Sequence, residues 1–142
     1  MSLRKVDKAN LVGIEAFEGG LAHKKFVNTS LEARLPILQE ISPDEMGKIV
    51  EIVGGELVDC KIDDATEWTA VVRPLHKFEI YYFLQKRAPE FENAILALYS
   101  KDSEEIGIPA EDVATFTILC NNAFIYAAKK IKANLPRISR YL

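Results

Sequence analysis

The spacing of the apolar residues changes at Gly54-Gly55, from a helical period before this pair to a strand period after it. Apolar side chains in residues 46–53 recur at the i, i+3, i+4 and i+7 positions that form one face of a helix. After the pair, apolar residues alternate with others, most clearly in residues 78–84. Helical segments that precede a run of strands predict an α+β fold.

Four segments are strand candidates: residues 58–62, 68–73, 78–84 and 94–99. The connections between them are short, which favours antiparallel pairing, because parallel strands need long crossovers. The sequence therefore predicts an antiparallel sheet of about four strands, flanked by N-terminal helices and a long C-terminal helix. A length of 142 residues predicts a single domain over residues 1–142.

Capping residues predict where helices begin. Ser42 is typical of an N-cap, Pro43 of a first helical residue, and Glu45 of the capping-box partner. Thr29 predicts another helix start, with Glu32 at capping-box spacing. We expect Pro36 to kink or split the helix that follows Thr29, because proline has no N–H to donate.

The long C-terminal helix, predicted from residue 108 to about 133, is apolar nearly all round, which is typical of a central helix. Thr117, Asn121 and Asn122 interrupt its apolar surface. They predict either hydrogen bonds to nearby backbone or the polar wall of a ligand pocket facing Tyr82 on the sheet. The two asparagines point about 100° apart, so we expect one to be more buried than the other.

The sheet is expected to be apolar on both faces. Tyr81, Phe83, Ile95 and Tyr99 are assigned to the second face, opposite the alternating residues of 78–84. An antiparallel sheet that is open to water on one side has a polar outer face. The second face therefore needs a cover, which is the N-terminal helices, a second subunit or a ligand. Cover by the chain's own helices is the first expectation, and a second subunit in a homodimer is the next.

Charge and motif content exclude several function classes. A net charge of −3 favours neither nucleic acid nor membrane binding, and no apolar run is long enough to span a bilayer, so a cytoplasmic location is expected. His23 and His76 lack metal-binding spacing, and no cofactor motif is present, so neither metal nor cofactor is predicted. Cys60 and Cys120 are expected to be reduced, buried and free of metal.

A series of features follows Gly54 in a fixed order: an acidic turn, Pro74, Ile80-Tyr81-Tyr82-Phe83, Ala88-Pro89-Glu90-Phe91, Ala94-Ile95-Leu96-Ala97-Leu98-Tyr99 and Ile108-Pro109-Ala110-Glu111-Asp112. This order resembles an uncharacterised prokaryotic family that is known only as a domain of unknown function. Gln85-Lys86-Arg87 stands where that family is expected to have a Trp and a Gly-Asp pair. The resemblance implies no activity, because fold analogy alone does not assign one.

Two function classes remain open from the sequence. The first is a non-catalytic interaction or binding module that forms a homodimer. The alternative is a small-ligand-binding protein or enzyme with a pocket between the sheet and the last helix, where Thr117, Asn121, Asn122 and Tyr82 bind the ligand. No catalytic residue is identified, because no cluster of titratable groups follows from the spacing.

Overall fold

The computed structural model describes residues 3–87, 92–140 and 142. In these residues a six-stranded sheet carries three α-helices on one face. The elements in chain order are β1 (Arg4–Lys5), β2 (Leu11–Val12), α1 (Gly20–Leu38), α2 (Pro43–Val53), β3 (Glu56–Asp59), β4 (Thr66–Leu75), β5 (Phe78–Gln85), β6 (Ala94–Ser100) and α3 (Ala110–Ile131). Short 3-10 helices form at Lys8–Asn10, Ile14–Ala16 and Lys101–Ile106.

The α+β class and the long C-terminal helix are confirmed, but the sheet is larger than expected and is mixed. The strands expected at residues 68–73, 78–84 and 94–99 lie in β4, β5 and β6, whereas the one expected at residues 58–62 overlaps β3 only at residues 58–59. Strands β3 to β6 pair antiparallel in sequence order. Strands β1 and β2 add one edge each, giving the order β1-β3-β4-β5-β6-β2, and β1 runs parallel to β3. Each added strand has two residues, which is too short to show an alternating pattern.

The two edges of the sheet lie close together, because β1 and β2 are close in sequence. Six flat strands place the outer two about 24 Å apart, since neighbouring strands are spaced about 4.7–4.9 Å. The chain from Lys5 to Leu11 reaches at most about 20–22 Å when fully extended. Its 3-10 helix at Lys8–Asn10 shortens that reach further. The sheet is therefore strongly curled.

The start of α2 is confirmed as expected from its capping residues. Ser42 Oγ accepts a hydrogen bond from the Glu45 N–H (3.1 Å), and the Glu45 carboxylate accepts one from the Ser42 N–H (2.9 Å). Gly54 ends the helix with φ = 90°, in the left-handed region that glycine adopts without strain. These local signals are strong because each satisfies a backbone group at the helix end.

Helix α1 differs from the expectation in two respects. It begins at Gly20, so Thr29 lies inside the helix and is not an N-cap. It also continues through Pro36 and ends two residues later, at Leu38, so the expected split is wrong. Burial of Val27 and Leu31 against the sheet outweighs the local cap signal. Proline in the last turn removes only one helical hydrogen bond.

The second face of the sheet is covered by the chain itself. A cluster of buried residues occupies it: Val58, Cys60, Val71, Tyr81 and Phe83. Val6 and Leu11, from the N-terminal segment, pack against this cluster. The cover therefore includes the N-terminal strands, and we call residues 3–12 the N-terminal strap.

The expected faces of β6 are wrong. Ile95 and Tyr99 belong to the helix-covered core, because they pair with Leu84 and Ile80 on β5. Leu96 and Leu98 lie on the second face instead. Both faces of β6 are apolar, so the alternation alone does not reveal which one meets the helices.

Four charged side chains connect β1 to the middle of the sheet. Glu56 on β3 forms ion pairs with Arg4 on β1 (3.0 Å) and with Arg73 on β4 (2.9 Å). Arg73 continues the series to Glu79 on β5 (2.8 Å). Hydrogen bonds from Arg4 hold the pKa of Glu56 below its ordinary value. The series helps to fix the position of β1.

One expectation from the sequence agrees with the structure, and another concerns residues that the structure does not describe. No helix within residues 3–87 and 92–140 combines the length and apolarity needed to cross a membrane. The segment Ala88-Pro89-Glu90-Phe91, which the family resemblance uses, lies outside the described residues.

Candidate functional site

The space between the sheet and α3 contains a hydrogen-bonded group of buried side chains. The Tyr82 hydroxyl donates to the Thr117 carbonyl oxygen (2.5 Å), and the Tyr99 and Thr117 hydroxyls lie 2.7 Å apart. Thr117 donates its own proton to the Val113 carbonyl (2.7 Å), so Tyr99 is the donor to Thr117. Tyr82, Tyr99 and Thr117 are completely buried. These contacts fix α3 on the sheet.

The two tyrosines retain their protons at neutral pH. Burial raises the pKa of Tyr99 to about 12 and raises the pKa of Tyr82 well above its ordinary value. A hydroxyl with such a pKa serves as a hydrogen-bond donor at pH 7 and is a poor base. The arrangement around Thr117 therefore supports a structural role for Tyr82 and Thr117.

Asn121 differs from this group because its polar atoms have no partner. The residue is completely buried, and neither its Oδ1 nor its Nδ2 has a hydrogen-bond partner among the described residues. It lies one helical turn after Thr117, on the same side of α3. A buried amide without a partner costs about 1–3 kcal/mol, so such a group needs an explanation.

Asn122 is half-buried and joins α3 to α1. Its Oδ1 accepts a hydrogen bond from Arg34 Nε (2.6 Å), and Arg34 Nη1 donates to the Ser30 carbonyl (2.7 Å). Burial lowers the pKa of Arg34 from its ordinary value. Asn121 and Asn122 therefore face different surroundings, as expected from the angle between neighbouring helical residues.

Helices α1 and α3 run side by side in the same direction. Near their N-terminal ends, the Ala110 N–H donates to the Glu18 carbonyl (3.0 Å). Further along both helices, Arg34 contacts Asn122. The exposed surface of these two neighbouring helices that includes Phe26, Leu119 and Tyr126 is called the seam below.

The seam exposes three large apolar side chains. Phe26 is 59% exposed, Leu119 56% and Tyr126 50%. Phe26 lies about two turns before Arg34 on α1 and about 80° around the helix axis from it, while Leu119 and Tyr126 lie about one turn to either side of Asn122. The three side chains therefore lie on the exposed surface of two helices that are joined by the Arg34–Asn122 contact. Contiguous apolar patches of several hundred Å² mark surfaces that bind other molecules, whereas single exposed apolar side chains are common.

The exposed surface of α3 is acidic at one end and basic at the other. Glu111 and Asp112 lie in its first turn, and Lys129 and Lys130 lie in its last. All four are exposed. The helix dipole has the opposite sign at each end, so these charges also stabilise the helix itself.

The two cysteines are free, but they are not equally buried. Cys60 is buried and Cys120 is half-buried, so the expectation that both are buried is wrong for Cys120. Burial raises the pKa of both thiols, and the nearby Asp59 carboxylate adds to this effect at Cys60. Cys120 comes directly after the exposed Leu119, and it lies between the buried side and the solvent-exposed side of α3.

The part of the chain that the structure describes brings together no group of three or more His, Cys, Asp or Glu side chains that could hold a metal ion. Comparison of the chain with protein-family models, with curated proteins and with solved structures found no match. The resemblance to a domain of unknown function stays a prediction.

Sequence reasoning missed the residues of the seam. Leu119 and Tyr126 are seven residues apart, which places them on one side of a helix. This spacing is the signal in the sequence that could have identified them as a pair. Phe26 has no comparable signal, because the side of α1 that faces α3 depends on tertiary packing.

Proposed function

We propose that this chain is a non-catalytic interaction module that forms a homodimer through the seam. The observation that supports the proposal is the exposure of Phe26 on α1 and of Leu119 and Tyr126 on the neighbouring α3, each side chain at least half exposed. Aromatic residues are enriched at the centres of protein interfaces. Arg34 of α1 is held by Asn122 of α3 and adds a polar group to the same pair of helices.

The charges of α3 favour a second copy as the partner. In a two-fold dimer the same surface is used twice, and two α3 helices that cross the axis run antiparallel. Such an arrangement places Glu111 and Asp112 of one copy near Lys129 and Lys130 of the other. Opposite charges at the rim of an interface favour the correct register and faster association.

Replacing Leu119 with Asp is expected to weaken the dimer. The carboxylate has to be desolvated at the centre of the proposed interface, so the dissociation constant rises by at least about tenfold. Sedimentation velocity over a concentration series measures this change. The control is Ile52→Asp on α2, where the native side chain is exposed to a similar extent (51%) outside the seam. A wild-type chain that stays monomeric, or equal effects of both substitutions, contradicts the proposal.

A small-ligand-binding protein is the second candidate, and Asn121 is the observation that favours it. Its buried amide, one turn from Thr117, offers a donor and an acceptor that no described residue uses. A few polar groups among apolar side chains are typical of ligand sites. In this alternative, Asn121 binds the polar part of a small molecule between α3 and the sheet.

Asn121→Leu is expected to raise the free energy of unfolding by about 1–3 kcal/mol, because it removes a buried amide without a partner. Urea unfolding measures this change. The same variant is expected to lose any increase in melting temperature that a metabolite library gives the native protein. Asn122→Leu is the control, and it should lower stability because it breaks the bond to Arg34. A lower stability of Asn121→Leu would show that the amide stabilises the native fold.

A further inference from the structure

Strand β6 has a free edge along most of its length. On one side it pairs with β5 from Ala94 to Tyr99. On the other side β2 pairs only with Tyr99 and Ser100. Within the described residues, no hydrogen bond reaches the outward backbone groups of residues 94–98. Such an edge presents unpaired N–H and C=O groups to any extended chain that approaches it.

The sequence of this edge lacks the usual protection against pairing. Residues 94–98 read Ala-Ile-Leu-Ala-Leu, without a charged residue or a proline. Edge strands commonly carry lysine, proline or a bulge, which prevent other strands from adding to them. The register between β5 and β6 is continuous over residues 94–99, so the edge is also free of bulges there. It retains the geometry needed to accept another strand.

A groove with a volume of about 650 Å³ lies beside this edge. Ala94, Ile95 and Leu96 form one wall, and Leu35 and Pro36 of α1 contribute to the other. Ile95 and Leu96 point to opposite faces of the sheet, so a groove that touches both runs along the strand edge. Helix α1 therefore extends beyond β6 and covers the position of the next strand.

We propose that this groove binds an extended segment of a partner protein, which adds to the sheet as a seventh strand beside β6. The backbone of the segment satisfies the free groups of residues 94–98. Its side chains on the helix-covered face contact Leu35 and Pro36. This mode of recognition takes its affinity from main-chain hydrogen bonds and its specificity from alternate side chains.

The position of α1 favours a single segment over a second copy of this chain. If two β6 edges paired around a two-fold axis, each copy would bring its own α1 over the joined strands. The two α1 helices would then require the same space above the new pair. A lone extended segment carries no such helix and fits beneath α1. This groove is thus separate from the seam, and the inference does not rest on the proposed homodimer.

The rim of the groove indicates which side chains the segment carries. Among the residues that the structure describes, Glu32 and Glu92 contribute two acids to the rim, and Arg87 contributes one base. Asn93 donates a hydrogen bond to Gln39 (3.1 Å) and so connects the start of β6 to the end of α1. We therefore infer apolar side chains at the positions facing α1 and basic side chains at the positions between them.

The test uses a synthetic peptide in which Val and Lys alternate, acetylated and amidated at its ends. Titration into ¹⁵N-labelled protein is expected to shift the amide signals of residues 94–98 and of α1 residues 28–39, with the signals of α2 unchanged. Absence of binding at about 1 mM peptide, or shifts confined to other surfaces, overturns the proposal.

Two methylated forms of the peptide distinguish strand addition from simple apolar contact. One form is N-methylated at every Val and the other at every Lys. Successive residues of a strand direct their N–H groups to opposite edges. Only one of the two methylated forms therefore lacks the N–H donors on the edge that pairs with β6. The affinity of that form is expected to fall at least about tenfold, while the other keeps its affinity within about threefold. Equal losses for both forms overturn the proposal.

A surface substitution tests the same groove from the side of the protein. Glu32→Lys changes an exposed rim residue of α1 and is expected to weaken binding of the Lys-bearing peptide about three- to tenfold. Glu51→Lys, on an exposed position of α2, is the matched control and should leave the affinity unchanged. Leu119→Asp should also leave it unchanged, which separates this inference from the homodimer. If Glu32→Lys and Glu51→Lys change the affinity equally, the peptide does not bind beside Glu32, and the proposed groove is wrong.

Discussion

A variant that begins at Gly13, and so lacks the N-terminal strap, is expected to lose at least about 3–5 kcal/mol of its free energy of unfolding. The loss is large because Val6 and Leu11 cover the second face of the sheet, where Tyr81 and Phe83 are almost completely buried. Small domains have only about 5–15 kcal/mol in total, so much of this variant should be unfolded or aggregated. Urea unfolding and the binding of an apolar dye measure the effect.

Point substitutions in the strap separate its apolar cover from its chain length. Val6→Asp places a charge against the second cluster and should reproduce much of the loss. Leu3→Asp changes a side chain that is 47% exposed and should have little effect. The Arg4–Glu56 ion pair is partly exposed and contributes only about 0–1 kcal/mol. If removal of the strap leaves the urea midpoint of unfolding unchanged, the strap does not protect the second face of the sheet, and the prediction is wrong.

Trp68→Ala is expected to lower the free energy of unfolding by about 3–5 kcal/mol. Trp68 is 4% exposed on β4, and its Nε1 donates to the Ile41 carbonyl (2.9 Å) just before α2 begins. The substitution leaves a cavity under α2 and removes the partner of that carbonyl. Unfolding followed by circular dichroism measures the change, because Trp68 is the single tryptophan of the chain.

Trp68→Phe separates packing from hydrogen bonding at this position. Phenylalanine retains most of the buried ring but cannot donate to Ile41, so a smaller loss of about 1–2 kcal/mol is expected. A loss as large as that of Trp68→Ala would mean that the hydrogen bond, and not the filled volume, positions α2.

Local signals in the sequence predicted those parts of the fold that local interactions decide. The capping box of Ser42 and Glu45 is satisfied within one turn. Residues 78–84 are apolar at every position except Glu79, because β5 is buried on both faces. The N-terminal strap was missed for the opposite reason. Strands β1 and β2 pair with residues far along the chain, at Val58 and Tyr99, and two-residue strands carry no periodic signal.

The candidate site was predictable only in part. Polar residues on an otherwise apolar helix drew attention to Thr117, Asn121 and Asn122, and their role in ligand binding stays a prediction. Their partners depend on the rotation of α3, which decides that Thr117 meets Tyr99 and that Asn122 meets Arg34. The free edge of β6 follows from the strand order, and strand order depends on contacts between distant segments.

The placement of β1 and β2 at opposite edges has a consequence for synthesis on the ribosome. The strap leaves the ribosome before its partners, because β1 pairs with Val58 and Asp59, and β2 pairs with Tyr99 and Ser100. Translation proceeds at about 5–20 residues per second, so the strap waits roughly 4–18 s for the last of its partners. During that interval its apolar residues are available to chaperones, and the second face of the nascent sheet closes only after β6 has emerged.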